Sequence, residues 1–396
     1  MPGTLIIAGG AIEASERSIH TRFIDAAGGT GAKLAIVPTA GGGEHEENSK
    51  YIFEIWKKLG VKPENIIRLP IPGTDGPRME GAEPVCDTAG ITAMLDGATG
   101  VWFTGGDQFY ITKEFCRADG SDTKALEITR RIYENGGVIG GCGAGAAIMS
   151  EVMICGGETG TALNAPISWG YDDLNEETGS MLRISKGLGY FPAGVIDQHW
   201  DARPRFFRLV EAVTVTRDRK SNMGFGVSED TALIYDGATG KITVAGSGAV
   251  YIVDCRDTMR MGELGAYAYT GVKLGMINEN SSFDTHNREY RFYLAGGECG
   301  GYRPGHGMVS GMVPSCPSFG GFIFQFVVNS KDDGQTQGDG KLFIRSFIAG
   351  EHNGKLYGQE LRYQKTPDSR AYDFGNNKYS FCGVLMDTVP YKLEKM

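Results

Sequence analysis

Four short apolar runs, each closed by glycine or another small residue, constrain the fold of this chain more than any other feature. They are TLIIAGG (residues 4–10), KLAIVPTA (33–40), GVWFTGG (100–106) and GGVIGGCGAG (136–145). Runs of this length read as buried strands that hand over to loops. Between them, residues 44–59 and 122–135 carry apolar positions three and four apart with charges opposite, the pattern of amphipathic helices. Strand, helix and strand in repeated alternation predict an α/β fold: a mostly parallel sheet with helices on both faces and right-handed crossovers. Ligands of such sheets sit at the carboxyl ends of the strands, which is where the glycine-ended loops fall.

The texture changes after about residue 285. HNREYRFYLAGGECGGYRPGHG is aromatic and glycine-rich, and GFIFQFVVNS, KLFIRSFIAG and KYSFCGVLMDTV read as strands between polar turns. Two domains are therefore expected within the 396 residues, an α/β domain over 1–285 and a mainly β domain over 286–396. The 60 glycines, roughly twice the usual ~7%, require many tight turns without the G-X-Y period of collagen. A net charge of -9 argues against nucleic acid or an anionic membrane as the general partner. No apolar run approaches the ~18 residues of a membrane span, and the N-terminus lacks a basic, apolar leader, so a soluble, cytoplasmic protein is expected. The eight cysteines form no CxxC pair and the six histidines are dispersed, so no metal or other cofactor is expected. Reduced thiols are the plain reading, with a disulfide between two of Cys299, Cys316 and Cys382 left open.

The segment Val138 to Ser150, VIGGCGAGAAIMS, runs from an apolar strand through crowded small residues into a helix. A nucleophile elbow has this form, because the turn is sharp and the reactive side chain must stand at the end of the strand. The centre is Gly143 if the frame is Gly141 to Gly145, and Cys142 if the frame slips back by one residue.

This stretch resembles the GGTSAGA elbow of the cyanophycinase-like serine peptidases and related aspartyl dipeptidases, with Cys142 at the Thr position and Gly143 at that of the nucleophilic Ser. Further segments agree, in the family's order. GGDQF (Gly105 to Phe109) resembles the loop supplying an oxyanion donor and a substrate-binding Gln, and KGLGY (Lys186 to Tyr190) resembles the GLG turn. DQHWDARPRFFRL (Asp197 to Leu209) is similar to the stretch with the catalytic His and three arginines, GFGVSEDTALI (Gly224 to Ile234) to that with the acidic triad member, and GVKLGMINENSSFD (Gly271 to Asp284) to the closing strand. The resemblance covers roughly the first 285 residues and implies a class I glutamine amidotransferase-like fold.

It further implies that His199 is the general base, that Glu229 orients and charge-stabilises its imidazole, and that the backbone N–H groups of Ala144 and of the Gly106–Asp107 loop form the oxyanion hole. The substrate implied is the β-aspartyl-arginine bond of cyanophycin, a poly-aspartate with arginine on each side chain. Arg203, Arg205 and Arg208 are suited to hold aspartyl carboxylates, and Asp197, Asp172 or Asp173 to meet the guanidinium, with Gln108 and Gln198 fixing orientation. A helix face with ordinary salt bridges is the plainer reading of the arginines, and core amides that of the glutamines. Dimerisation is expected only from the resemblance.

Glycine cannot attack a carbonyl. The chain is then a binding protein that keeps the pocket, an inactivated variant of an enzyme, or a hydrolase in which Cys142 has taken over; Cys142 ranks last, because most free cysteines are small buried hydrophobes. A cysteine-dependent relative of the glutamine amidotransferases is a further class, which the GGDQ and DQHxxxRxRxxR patterns disfavour.

Overall fold

The computed structural model describes residues 1–74, 84–159, 162, 168–169, 182–203, 205–216, 222–263, 266–286, 290–294, 297–298, 336–337, 341–342, 344–352, 355–373 and 378–391. The α/β part runs β1 (Thr4–Ala8), α1 (Glu16–Ala26), β2 (Leu34–Val37), α2 (His45–Lys58), β3 (Ile66–Arg68), α3 (Ala89–Met94), β4 (Gly100–Phe103), α4 (Gln108–Phe115), α5 (Lys124–Glu134), β5 (Val138–Cys142) and α6 (Ala144–Ala147). There follow β6 (Val152–Gly156), β7 (Ser168–Trp169), β8 (Arg183–Lys186), β9 (Val195–Asp197), α7 (Phe206–Thr216), β10 (Met223–Val227), β11 (Thr231–Asp236), β12 (Lys241–Gly246) and β13 (Val250–Asp254). Among the described residues there follow β14 (Met259–Glu263), β15 (Ala266–Thr270), β16 (Val272–Ile277), β17 (Ser282–Asp284), β18 (Arg291–Tyr293), β19 (Gly297–Glu298), β20 (Thr336–Gln337), β21 (Lys341–Leu342), β22 (Ile344–His352), β23 (Lys355–Asp373) and β24 (Tyr379–Tyr391).

The parallel core of the α/β fold is the run β1-β5-β4-β2-β3. Its strands β1, β5, β4 and β2 are buried on both faces, which is why they read as unbroken apolar runs rather than alternating ones. Beyond β1 the sheet continues antiparallel through β11, β12, β17 and β18, making a mixed sheet of nine strands. One face packs Ile6, Leu34 and Trp102 against Phe23 of α1 and Trp56 of α2. On the other face, Leu5, Ile7 and Phe103 pack against Phe115 of α4 and Leu126 of α5.

A second sheet has the order β19-β23-β24-β16-β13-β10-β9, with β22 on β23. Phe225, Val227 and Ile252 turn towards the core shared with α4 and α5. Its other face packs Val253 and Leu274 with Phe206, Leu209 and Val213 of α7 and with Leu361, Phe381 and Val384. Hydrogen bonding thus crosses residue 285: Val272 pairs with Met386 and Leu274 with Val384. Among the described residues, no helix is long and apolar enough to cross a membrane. Cys86, Cys116, Cys142, Cys155, Cys255 and Cys382 are free thiols, and Cys299 and Cys316 lie outside the described residues.

Candidate active site

Five strand ends converge. Gly9 and Gly10 follow β1, Gly105 and Gly106 follow β4, and Gly143 follows β5. From the second sheet, His199 lies just beyond β9 and Glu229 just beyond β10, two strands that pair in parallel and so present their ends together. The backbone joins the sheets at this point. His199 donates its N–H to the Gly9 carbonyl at 2.7 Å, and Asp230 donates its N–H to the Gly10 carbonyl at 2.9 Å.

At the elbow, Gly143 has φ 56° and ψ -107°, a conformation that L side chains rarely adopt. Its N–H donates to the Ala8 carbonyl at 3.0 Å, tying the turn to β1. The flanking glycines are packed: a β-carbon on Gly141 would fall 2.4 Å from the Gly145 carbonyl oxygen. A β-carbon on Gly143 itself would stand 3.5 Å from His199 Nε2 and 3.8 Å from Gly105 Cα, with no clash. A serine hydroxyl, one bond further out, therefore has hydrogen-bond reach to the imidazole.

The imidazole is held from two sides. Its Nδ1 lies 2.6 Å from Glu229 Oε1, so that the neutral ring carries its proton on Nδ1 and leaves Nε2 as the acceptor facing Gly143. Behind the ring is Gly10, where a β-carbon would fall 2.1 Å from His199 Cε1. His199 itself has φ 49°, a strained conformation that functional sites retain when their surroundings enforce it. Burial pushes the His199 pKa below that of an ordinary imidazole; the Glu229 hydrogen bond opposes this, while the charges of Arg203 and Arg205 add to it.

The other expected site residues divide. Asp197 and Arg208, expected to meet substrate, are turned to each other. Arg208 Nε donates to Asp197 Oδ2 at 2.8 Å, Arg208 Nη2 donates to Oδ1, and Nη1 donates to the Gly157 carbonyl at 2.7 Å. Both side chains are buried, so this is an internal ion pair, bridging α7 and β9, rather than a surface one. Arg205 donates through Nη1 to the Gln198 carbonyl at 2.5 Å and to Gln198 Oε1 at 2.8 Å, and burial lowers its pKa to about 9. Gln108 is a core amide whose Nε2 donates to the Ile154 carbonyl at 2.8 Å. Arg203 is exposed close to His199, and Asp172 and Asp173 lie outside the described residues.

Of the expected oxyanion donors, the Asp107 N–H already donates to the Ala40 carbonyl at 2.8 Å, and the Asp107 side chain caps α4 by accepting from the Phe109 N–H at 2.8 Å. Of the other two, Ala144 follows Gly143 as the first residue of α6, and Gly106 follows Gly105, whose Cα is 3.8 Å from the β-carbon position of Gly143. Cys142 belongs to the opposite face: it packs with the cluster beneath α1 and α2, and burial, with Glu13 beside it, pushes its pKa up to about 12. It is therefore a thiol at neutral pH, not a thiolate.

Sequence reasoning passed over two contributors. Gly10 backs the His199 ring and the Gly9 carbonyl accepts from the His199 N–H, and their signal was the glycine pair closing TLIIAGG. Asp230 accepts from the Ser15 N–H at 2.6 Å, from Ser15 Oγ at 2.8 Å and from Ser247 Oγ at 2.6 Å, pinning the turn that carries Glu229. Beside the elbow, Glu13, Glu16, Tyr51, Gly105, Gly106 and Cys142 help line a cavity of about 360 Å³.

The sequence profile of peptidase family S51 matches residues 4–243. A cyanophycinase of Synechococcus elongatus is 28% identical over 242 residues, an alignment covering 61% of this chain and 64% of that protein, so the chain spans less than two thirds of that relative's length. A cyanophycinase of Trichormus variabilis is 30% identical over 251 residues, covering 63% of this chain and 72% of the other. Among solved structures, a peptidase from an acI-B1 Actinobacterium is similar over 64% of this chain and 91% of its own, at 21% identity and a TM-score of 0.40.

Proposed function

The chain belongs to peptidase family S51, and from that premise we propose that it carries the site of a cyanophycinase-like exopeptidase for β-Asp-Arg bonds, reduced to weak activity or none by glycine at the nucleophile position. In this reading Ser at position 143 would be the nucleophile, His199 the general base and later the general acid, and Glu229 the residue that fixes the tautomer and stabilises the imidazolium. The Gly106 and Ala144 N–H groups would receive the oxyanion. The observation that carries the reading is the 3.5 Å separation between His199 Nε2 and the β-carbon position of residue 143, with Glu229 on the far side of the same ring.

For the substrate, Arg203 is the exposed arginine beside the base and is suited to an aspartyl carboxylate. Arg208, Arg205, Asp197 and Gln198 act through each other, holding the segment that bears His199.

Gly143→Ser incubated with cyanophycin is expected to release β-Asp-Arg dipeptide. No release by a folded Gly143→Ser protein would overturn the assignment of substrate or site. Gly143 itself favours a second reading, a non-catalytic binder of Asp- and Arg-rich peptides. Calorimetric titration of the unaltered chain with β-Asp-Arg dipeptide tests it, and undetectable binding at millimolar ligand would remove it.

A further inference from the structure

We infer that water occupies the role of the missing side chain: with glycine at position 143, His199 deprotonates a water held where the serine hydroxyl would stand, and the chain hydrolyses its amide substrate directly, without an acyl-enzyme. The inference rests on the proposed site, and concerns how that site works in this chain.

Three observations carry it. First, the space is open: apart from its own neighbours in the chain, the atoms within 4 Å of the Gly143 β-carbon position among the described residues are His199 Nε2 and Gly105 Cα, at 3.5 and 3.8 Å. A water placed there needs a shift of under ~1 Å to reach hydrogen-bond distance from Nε2. Second, the base is prepared. Glu229 on Nδ1 leaves Nε2 as the acceptor, and the ring is wedged against Gly10, so its direction is fixed whether or not residue 143 has a side chain. Third, glycine suits this backbone. At φ 56° and ψ -107° a side chain is strained, which glycine avoids, so the elbow keeps its shape without its serine.

The step balances. Nε2 takes one proton from water as the water oxygen bonds to the scissile carbonyl carbon, and the carbonyl electron pair moves onto its oxygen beside the Gly106 and Ala144 N–H groups. Collapse restores the carbonyl and breaks the C–N bond, and the proton on Nε2 passes to the departing nitrogen. One water is consumed, a carboxylic acid and an amine leave, and the imidazole is regenerated.

The test compares dipeptide release from cyanophycin by the unaltered chain, His199→Ala, Gly143→Ala, Cys142→Ala and Gly143→Ser. The unaltered chain is expected to turn over slowly, with His199→Ala losing about 10²-fold, the contribution of a general base. Gly143→Ala, whose methyl takes the water's place, is expected to lose a similar factor, and Cys142→Ala to lose nothing. Acid-quenched intact mass is expected to show a covalent adduct only for Gly143→Ser. Should Gly143→Ala fold poorly, judged by its thermal melt, His199→Ala and the intact mass decide the matter. Release by Gly143→Ser but none above the His199→Ala background by the unaltered chain overturns this inference and leaves the proposed function standing. Release by neither overturns both. An adduct on the unaltered chain, or a loss in Cys142→Ala, overturns the water route in favour of covalent catalysis.

Discussion

Glu229 Oε1 lies 2.6 Å from His199 Nδ1, and this bond determines which nitrogen of the ring faces Gly143. The pair comes from the ends of two adjacent parallel strands, so its geometry is set by the ladder in which Phe225 is paired with Ile196 and Gly226 with Asp197.

In the Gly143→Ser background, Glu229→Gln is expected to lower kcat by about 10²–10⁴, because the wrong tautomer is then favoured. The acid limb of the Gly143→Ser pH profile is expected below the ordinary imidazole value of 6.5, since burial lowers the His199 pKa and the base works only when neutral. A limb centred above 6.5 would contradict the burial argument.

Arg208→Ala is expected to destabilise the fold by about 3–5 kcal/mol, because Asp197 is left as an unpaired buried charge. Urea denaturation measures this. A variant of unchanged stability that only raised KM would return Arg208 to the substrate.

His20 is fully buried, its Nδ1 accepts from Trp56 Nε1 at 3.1 Å, and burial lowers its pKa from 6.5 to about 3. The folded ring stays neutral where the unfolded one takes a proton, so its contribution to stability is present above pH 6.5 and is lost as the pH falls towards 3. The loss is up to about 5 kcal/mol from this residue. Unfolding free energy measured against pH, with His20→Gln for comparison, is expected to show that the substitution flattens the acid slope.

Cys142 is expected to react with iodoacetamide more slowly in the native protein than in urea, as befits a thiol whose pKa is pushed up to about 12. Peptide mapping after brief labelling reads this out, and preferential labelling of native Cys142 would reopen its candidacy as a nucleophile.

Much of the scaffold was legible because it is written locally. The apolar runs became β1, β2, β4 and β5, and the two amphipathic stretches became His45–Lys58 and Lys124–Glu134. The His199 and Glu229 positions were legible only through motif resemblance, since nothing in their local sequence shows that β9 and β10 lie side by side. The fate of the arginines was not legible. Whether a guanidinium meets a substrate or Asp197 depends on how α7 packs over β9, which spacing along the chain does not encode. Gln108 illustrates the same limit: its partner, the Ile154 carbonyl, is 46 residues away.

The ladder between β16 and β24 has a consequence for synthesis on the ribosome. Residues 379–391 complete the sheet that presents His199 and Glu229, and Phe381, Val384 and Met386 close the apolar layer over α7. A nascent chain holds both dyad residues about 150 residues before that strand emerges. Until then the half-built sheet has an open edge and an uncovered apolar face. The edge of β16 therefore stays unpaired until residues 379–391 are made, although the β9–β10 ladder that carries the dyad can form before them.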